Sequence, residues 1–260
     1  IMMPFALITG GGKGIGKCIA TELAKRKYPV LLVARDEKSL QEHATTLSTT
    51  YGIAAHYLAL DLGKLGATQI LMDWITANNY NVGILVNNAG YGLSGPFTKY
   101  SAEAHIEMMR VNMEVPVSLT STLLPMLTKN APAYILNVAS SAAYQAVPGL
   151  SVYAASKSFV LSFSRGLRHE LKNTGVSVTA VSPGSTDTNF ANRADVGEKA
   201  LKTAEKVNMT PEAVAKIAVT ALFDKKPEVI TGFINQLGAF FVWLLPKKLA
   251  ESIAAGLYGL

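Results

Sequence analysis

Short, continuously apolar segments alternate along this chain with longer segments of helical periodicity. The apolar segments have the length and residue types of β-strands and lie at residues 5–9, 30–34, 56–60, 83–87, 134–138, 176–181 and 228–231. The helical patterns lie at residues 14–27, 37–50, 64–78, 101–128, 152–173 and 211–224. Strands that are apolar at every position are typical of a parallel sheet with helices on both faces. The alternation therefore predicts an α/β fold: a doubly wound, mostly parallel sheet of seven strands built from right-handed βαβ units.

The domain organisation follows from the chain length and from two segments that break this alternation. A chain of 260 residues can form one large core, so we predict a single domain over residues 1–260. Residues 185–209 are polar and weakly periodic, and they follow the carboxyl end of a strand, where open α/β sheets bind ligands. We predict that this segment is a lid, with an ordinary surface insertion as the alternative. A hydrophobic extension occupies residues 233–260.

Charge and cysteine content narrow the functional classes. The formal net charge is +6, but no run of five cations occurs, which argues against a nucleic-acid surface. Dispersed positive charge suits anionic ligands or an anionic membrane surface instead. With one cysteine, Cys18, no intramolecular disulfide can form, and no apolar run reaches the roughly 18–20 residues of a membrane-spanning helix. We predict no signal peptide and no metal site, and we expect a cytoplasmic protein.

A cluster of glycines, TGGGKGIG at residues 9–16, joins the first strand to the first helix. In a doubly wound sheet this turn places a helix N-terminus, with free N–H groups and a positive dipole end, against phosphate. Gly10, Gly14 and Gly16 have the spacing G-x-x-x-G-x-G, onto which the dinucleotide fingerprint G-x-G-x-x-G cannot be laid in any register. The position between a strand and a helix still predicts a Rossmann-type turn that binds a dinucleotide.

Two cations are placed to meet a further phosphate. Lys13 lies within the glycine turn, and Arg35 lies at the tip of the second strand, where the ribose of a dinucleotide is expected. A guanidinium offers paired donors to a phosphate, whereas a carboxylate would accept a hydrogen bond from a ribose hydroxyl. Two converging cations suit the 2′-phosphate of NADP(H), which is the predicted cofactor. The alternative is that both cations are solvated and that Asp36 binds the ribose.

A proton donor is predicted where two residues share one helical face. Tyr153 and Lys157 are four residues apart in a helical segment, and an ammonium beside a phenol stabilises the phenolate. Ser140 ends the fifth strand, at the edge where a substrate carbonyl would be held, and Ser141 is the neighbouring alternative. Asn112 lies in a helix that should line the same crevice. It is either a structural hydrogen-bonding residue or part of a proton path.

Together these features resemble the short-chain dehydrogenase/reductase family, in its single-domain branch. The resemblance covers about residues 4–235. It is carried by Asn112, Ser140 and five motifs: TGGGKGIG, the pair Asp61-Leu62, NNAG at residues 87–90, YAASK at residues 153–157 and PGSTDT at residues 183–188.

The resemblance implies a role for each of these positions. Ser140 would polarise the substrate carbonyl, Tyr153 would donate the proton, and Lys157 would hold the nicotinamide ribose and favour the phenolate. Asn112 would position a water that relays protons to Lys157. For the cofactor, Asp61 would hold the adenine, Asn87 would brace the central strand and the cofactor, and Thr188 would hold the nicotinamide carboxamide. The other expected cofactor contacts are Thr9, Gly10, Gly12, Lys13, Gly14, Ile15, Gly16, Arg35, Leu62, Ala89, Gly90, Pro183, Gly184 and Thr186.

The predicted activity is NADPH-dependent reduction of a ketone or aldehyde, or the reverse oxidation. The expected substrate wall is mostly apolar, so a hydrophobic substrate is favoured; it comprises Tyr91, Ser140, Ala142, Gln145, Val147, Pro148, Tyr153 and the lid. One alternative is a 3-oxoacyl thioester reductase acting on an acyl carrier protein or coenzyme A substrate. The other is a protein that binds NADP(H) without turnover, as a sensor or a membrane-docked partner.

The hydrophobic extension departs from the family pattern. Residues 240–245 join an aromatic and aliphatic cluster to Lys247 and Lys248. Three interpretations remain open: a pocket wall or dimer contact, a peripheral contact with a membrane surface, or plain core. An extension of this length would obstruct the tetramer that is common in the family, so we expect a homodimer rather than a tetramer.

Overall fold

A seven-stranded parallel sheet, in the order β3-β2-β1-β4-β5-β6-β7, organises the part of the chain that the computed structural model describes, residues 3–186 and 208–258. Its strands are β1 (Phe5–Thr9), β2 (Val30–Ala34), β3 (Ala55–Ala59), β4 (Val82–Asn87), β5 (Ala133–Val138), β6 (Val176–Ser182) and β7 (Glu228–Ile230). Each neighbouring pair runs parallel. The order reverses between β1 and β4, which confirms the predicted doubly wound topology.

Helices cover both faces of the sheet, as predicted. In the described residues they are α1 (Gly14–Lys25), α2 (Glu37–Tyr51), α3 (Ala67–Ala77), α4 (Ala102–Met109), α5 (Val115–Lys129), α6 (Ser151–Glu170), α7 (Pro211–Phe223), α8 (Phe233–Leu244) and α9 (Lys247–Tyr258). Apolar side chains of α1, α2 and α7 pack on one face and those of α3 and α5 on the other. The sheet therefore has a separate apolar core on each face.

The chain departs from the predicted helices at residues 101–128. There it forms two helices, α4 and α5, joined by a π-helical turn over Arg110–Glu114. Such a turn holds one residue more than an α-helical turn, and π-turns frequently occur at functional sites. Most of the predicted lid, residues 187–207, lies outside the described residues, and so does Thr188.

Two buried asparagines tie the central strands to α6. Asn87 and Asn137 lie opposite each other in the register of β4 and β5. The Nδ2 of Asn87 donates to Asn137 Oδ1 over 2.8 Å, and the Nδ2 of Asn137 donates to Ser164 Oγ on α6 over 2.8 Å. Both asparagines are buried, so their amides depend on these protein partners. Asn87 therefore braces the strand, as expected, from a position beneath the site.

Replacing Asn137 should destabilise the whole domain. Asn137→Ala leaves two buried polar groups without this partner, and each such group costs about 1–3 kcal/mol. We expect the free energy of unfolding in urea to fall by about 2 kcal/mol or more. Gln41→Ala, at an exposed position of α2, is the control and should change stability by less than about 0.5 kcal/mol. Equal urea midpoints for the two variants would contradict this account.

Candidate active site

A cavity of about 900 Å³ opens along the carboxyl ends of the strands, where the strand order reverses. Open α/β sheets bind ligands at this switch point. Its walls bring together most of the predicted site residues: Gly10, Gly12, Lys13, Gly14, Ile15, Arg35, Asp61, Leu62, Ala89, Gly90, Tyr91, Ser140, Ala142, Tyr153, Lys157, Pro183, Gly184 and Thr186. The cavity thus connects the glycine turn to the Tyr153–Lys157 pair.

The glycine turn has a shape that side chains would prevent. Gly10 and Gly14 have positive φ angles of 69° and 55°, a conformation that glycine adopts at little cost. A Cβ at Gly16 would lie 2.3 Å from the carbonyl oxygen of Gly10. Thr9 and Gly16 do not line the cavity; they shape the turn from behind. The Oγ1 of Thr9 accepts hydrogen bonds from the N–H groups of Asn88 and Ala89, each over 3.0 Å.

One face of α2 holds the turn from the side. Ser39 Oγ donates to the Gly12 carbonyl over 2.7 Å, and His43 Nδ1 lies 3.1 Å from the Gly11 carbonyl oxygen. Asp36, the N-cap of α2, accepts from Ser39 N over 3.1 Å. Residues three and seven positions apart share a helix face, so one helix can contact consecutive loop residues. The turn is therefore fixed before any ligand binds.

Lys13 and Arg35 both line this cavity, but Asp36 forms an ion pair with Lys13 that the sequence analysis did not predict. Lys13 Nζ lies 2.7 Å from Asp36 Oδ2. Hydrogen bonds from Lys13 and from the Ser39 amide hold the pKa of the Asp36 carboxyl below its usual range. Arg35 is exposed and forms no salt bridge with any described residue. The ribose end of the cavity thus offers one free guanidinium and one ammonium that is already paired.

Asp61 and Leu62 line the same end of the cavity, after β3. Asp61 Oδ1 accepts a hydrogen bond from the Gly63 amide over 3.0 Å, which fixes the direction of the carboxylate. Leu62 is buried and belongs to the core cluster beneath the sheet. The two residues could hold a flat aromatic base between a polar and an apolar contact.

Lys157 is buried at the opposite end of the cavity. It is 5% exposed, and its Nζ donates to the Val138 carbonyl over 2.9 Å. The same Nζ lies 5.9 Å from the centroid of the Tyr153 ring. Desolvation lowers the pKa of Lys157 to about 8, so this ammonium gives up its proton more readily than an exposed lysine does. The ammonium therefore lies near the Tyr153 ring, and the role of the pair as proton donor and cation stays a prediction.

Ser140 follows β5 and caps the short 3₁₀ turn Ser141–Tyr144. Its Oγ accepts from the Ala142 amide over 3.1 Å. The Ser140 O–H donates to no described residue, so its hydrogen is available to a substrate oxygen. Ser141, the alternative, also lines the cavity, and its amide donates to the Pro183 carbonyl over 2.7 Å.

Tyr144 anchors the far end of this turn. Its hydroxyl donates to the Glu228 carboxylate and lies 3.1 Å from Ser182 Oγ. Arg165 Nη2 is 2.7 Å from the same carboxylate. Burial raises the pKa of Tyr144, which keeps the phenol neutral and able to donate. The backbone that presents Ser140 is therefore tied to β7 and α6.

Asn112 lies in the π-turn and has the contacts of a structural residue. Its Oδ1 accepts from the Tyr91 amide over 3.1 Å, and its Nδ2 donates to the Tyr91 carbonyl and to Ser156 Oγ, each over 3.0 Å. It is 1% exposed and does not line the cavity. A Cβ at Gly90 would lie 3.0 Å from Asn112 Oδ1 and 3.2 Å from Lys157 Nζ, so the two side chains share one small region. A proton path through Asn112 remains a prediction.

The substrate wall was only partly predicted. Tyr91 and Ala142 line the cavity, but Gln145, Val147 and Pro148 do not; buried Val147 supports the wall from behind. The cavity-lining residues that the sequence analysis missed include Asn88, Glu107, Val111 and Leu150. Asn88 was detectable, since it neighbours Asn87 in the NNAG motif. The other three carry no sequence pattern of their own. Ser185, the first residue of the predicted lid, also lines the cavity.

Comparison with known proteins gives consistent matches. The family model described as short chain dehydrogenase matches residues 4–199. An uncharacterized oxidoreductase of Staphylococcus epidermidis is 31% identical over 194 residues, covering 75% of this chain and 83% of the relative. A very-long-chain 3-oxoacyl-CoA reductase of Anas platyrhynchos is 34% identical over 187 residues, covering 69% of this chain and 58% of the relative. The structure of a short-chain dehydrogenase from Sphingobium yanoikuyae in complex with NADPH has a TM-score of 0.82 at 28% identity, covering 93% of this chain and 94% of that one.

The burial of His43 beside the glycine turn should make stability depend on pH. Burial lowers the pKa of His43 from 6.5 to about 4. Between these values the unfolded chain binds a proton that the folded protein does not. The free energy of unfolding should therefore fall as the pH drops through this window, by at most about 1.4 kcal/mol per pH unit from this group.

Other groups titrate in the same window, so a matched variant isolates His43. His43→Asn keeps an N–H donor for the Gly11 carbonyl but does not titrate. Urea unfolding of both proteins from neutral pH down to about pH 4 should show the wild type losing stability relative to the variant. A stability difference that stays constant with pH would show that His43 is not held neutral in the fold.

Proposed function

The chain belongs to the short-chain dehydrogenase family, and we propose that it is an NADPH-dependent oxidoreductase that interconverts a carbonyl and an alcohol on an apolar substrate. The observation that carries the proposal is the single cavity that joins two sets of residues. Ser140, Tyr153 and Lys157 lie at one end, and the glycine turn lies at the other with Arg35. Binding alone would need the turn but not the proton donor, which argues against a sensor without turnover.

The residues present fit a nicotinamide dinucleotide. The N-terminus of α1 begins at Gly14, within the turn, so its free N–H groups can meet a pyrophosphate. A Cβ at Gly90 would lie 3.0 Å from Asn112 Oδ1 and 3.2 Å from Lys157 Nζ, so a larger residue there would crowd both side chains. When bound, NADPH supplies a hydride to the carbonyl carbon.

The chain's own residues handle the proton and the developing charge. The free Ser140 O–H donates to the substrate carbonyl oxygen and polarises the bond. Tyr153 transfers its phenolic proton to the same oxygen as the alkoxide forms. Lys157, held by the Val138 carbonyl, stabilises the phenolate that remains. In the direction of oxidation, the phenolate accepts the proton from the alcohol.

The preference for NADPH rests on Arg35. Its guanidinium lines the cavity, is exposed, and is free of carboxylate partners among the described residues. It can therefore offer two parallel donors to a 2′-phosphate. Lys13 adds a second cation, although Asp36 neutralises part of its charge. Asp36 itself is engaged by Lys13 and Ser39 and is poorly placed to accept from a ribose hydroxyl.

The substrate class rests on the wall beside Ser140. Tyr91, Ala142 and Leu150 line the cavity there, backed by buried Met108 and Val147. Such a wall favours an aliphatic or aromatic carbonyl over a sugar. The likeness to a very-long-chain 3-oxoacyl-CoA reductase favours a second candidate within the same chemistry, reduction of a 3-oxoacyl thioester. A carbonyl panel assayed by NADPH absorbance, with ketones, aldehydes and 3-oxoacyl thioesters, separates the two.

Removing the phenolic hydroxyl should abolish turnover and spare cofactor binding. Tyr153→Phe keeps the packed ring but leaves no proton to transfer. General acids contribute at least about a hundredfold, so we expect kcat to fall by at least that factor. Fluorescence titration with NADPH should give nearly the wild-type dissociation constant. A phenylalanine variant with more than about a tenth of the wild-type kcat would place the acid elsewhere.

Charge changes at the ribose end should alter cofactor choice in opposite directions. Arg35→Asp removes a hydrogen bond to a charged group, worth about 1.5–3 kcal/mol, so NADPH should bind about ten- to a hundredfold more weakly and NADH more tightly. Lys13→Ala should weaken NADPH binding less than Arg35→Asp does, because a flexible ammonium is a point charge without paired donors. Asp36→Asn frees Lys13 and should strengthen NADPH binding by up to about fivefold, the scale of an exposed ion pair.

Dissociation constants of both cofactors for the wild type and these variants test the assignment. The losses in the Arg35 and Lys13 variants should shrink in high salt, because both side chains are exposed. A wild type that binds NADH more tightly than NADPH would contradict the assignment. In that case Asp36→Asn should weaken NADH binding most.

A further inference from the structure

The C-terminal helix pair exposes an apolar surface that the proposed reaction does not use. Helix α8 has twelve residues, none of them charged and none buried. Seven of its large apolar side chains are at least 39% exposed: Phe233, Ile234, Leu237, Phe240, Phe241, Trp243 and Leu244. Plain core, one of the three predicted roles of this segment, is therefore wrong for α8. We call these seven side chains, with exposed Leu249 and Ile253 of α9, the apolar patch.

Helix α9 is buried along one face and exposed along the other. Its Ala250 and Ala254 are 5% and 3% exposed, so one face of the helix is docked. Leu249 and Ile253 lie on the other face, at 48% and 54% exposure. A helix this rich in large apolar side chains is normally buried against another surface, and exposed apolar patches of this kind mark contact sites. We therefore expect the apolar patch to contact another surface.

The charges around the apolar patch indicate which kind of surface it contacts. Lys247 and Lys248 are exposed at the junction of α8 and α9, and no acidic residue occurs between Glu228 and Glu251. Trp243 is the most exposed of the large apolar side chains of α8, at 77%. Tryptophan beside lysine is the composition that anchors proteins at the boundary between lipid and water. In a symmetric contact between two copies, this surface would meet itself and would find little opposite charge for its lysines.

We propose that the apolar patch docks on an anionic membrane surface, with Lys247 and Lys248 at the headgroups. The contact is peripheral, because twelve residues extend only about 18 Å and a bilayer core is about 30 Å thick. Within the described ranges, the helices all fall short of the length and apolar character needed to cross a bilayer.

The position of the patch also bears on the substrate. A Cβ at Gly184 would lie 2.0 Å from Asn235 Nδ2, so the first turn of α8 rests directly on a residue that lines the cavity. A protein docked through α8 would hold the Tyr153 end of its cavity close to the lipid. The substrate would then be an apolar carbonyl compound dissolved in the membrane. This part of the inference rests on the proposed reductase activity, whereas docking does not.

Vesicle binding by the full chain tests the docking. Of the two tryptophans, Trp74 and Trp243, Trp74→Phe leaves Trp243 as the single reporter. With vesicles of phosphatidylglycerol and phosphatidylcholine we expect co-sedimentation and a blue shift of Trp243 emission. Pure phosphatidylcholine and high salt should both weaken binding. Lys247→Gln with Lys248→Gln should lower the partition coefficient on the order of fivefold per lysine.

Matched variants separate the patch from apolar exposure in general. Phe240→Ser with Trp243→Ser should reduce partitioning more than tenfold by sedimentation. Ile70→Ser changes a residue of α3 that is 51% exposed, comparable to Phe240 at 54%. This substitution should leave partitioning unchanged. Reduction of a water-soluble carbonyl should be the same in all these proteins, so an inactive enzyme would not be mistaken for an undocked one.

Two kinds of result would overturn the proposal. One concerns vesicle binding: a wild type that stays in the supernatant with anionic vesicles, or a serine variant that binds as well as the wild type. The other is a wild-type dimer in size-exclusion chromatography that the serine variant converts to a monomer without any effect of vesicles. That outcome would assign the patch to a second copy of this chain. Faster reduction of a bilayer-dissolved ketone by the wild type than by the serine variant would support the substrate part.

Discussion

The reversal of strand order between β1 and β4 is the constraint on which the site depends. On either side of this point the chain leaves the sheet in opposite directions, so the loops after β1 and β4 separate and leave a crevice. The course of the backbone alone therefore leaves room for a ligand at this point. The glycine turn after β1 forms one wall, and the loops after β4, β5 and β6 form the others. Because the strands fix these loops, groups distant in sequence, such as Lys13 and Lys157, face a common space.

Helix α2 couples the fold to the chemistry at the ribose end. Its N-cap, Asp36, stabilises the helix start and at the same time holds Lys13. Ser39 and His43 hold the carbonyl groups of Gly12 and Gly11, while the N–H groups of Gly10 and Gly11 donate to the Val33 carbonyl. The donors that can face an anion are therefore the first N–H groups of α1. Asp36 therefore positions Lys13, the cation that would bind a phosphate, although the Asp36 carboxylate would repel the same phosphate. Under the proposed function, cofactor preference is then a small difference between opposing charges, set by Lys13 of the glycine turn and by Arg35 and Asp36 after β2.

Much of the fold could be predicted from the sequence, because its determinants are local. Most of the strands are continuously apolar, and the third strand begins only one residue earlier than predicted. The Tyr153–Lys157 spacing and the glycine cluster are local patterns too. The ion pair of Lys13 with Asp36 and the contacts of Asn112 with Tyr91 depend on how separate elements pack, so composition and spacing could not show them. Gln145 was misplaced for the same reason: the direction of its side chain is set by the 3₁₀ turn that precedes it.

The π-turn at Arg110–Glu114 makes the length of this segment as important as its residues. Each residue added to or removed from a helix rotates everything beyond it by about 100°. A one-residue deletion in the turn would give a regular helix with better local hydrogen bonds. It would also rotate Asn112 relative to α5 and separate its amide from the Tyr91 backbone. The chain can therefore tolerate substitutions around this turn far more readily than a change in the number of residues, because an insertion or deletion here would shift the part of the cavity wall that Val111 forms.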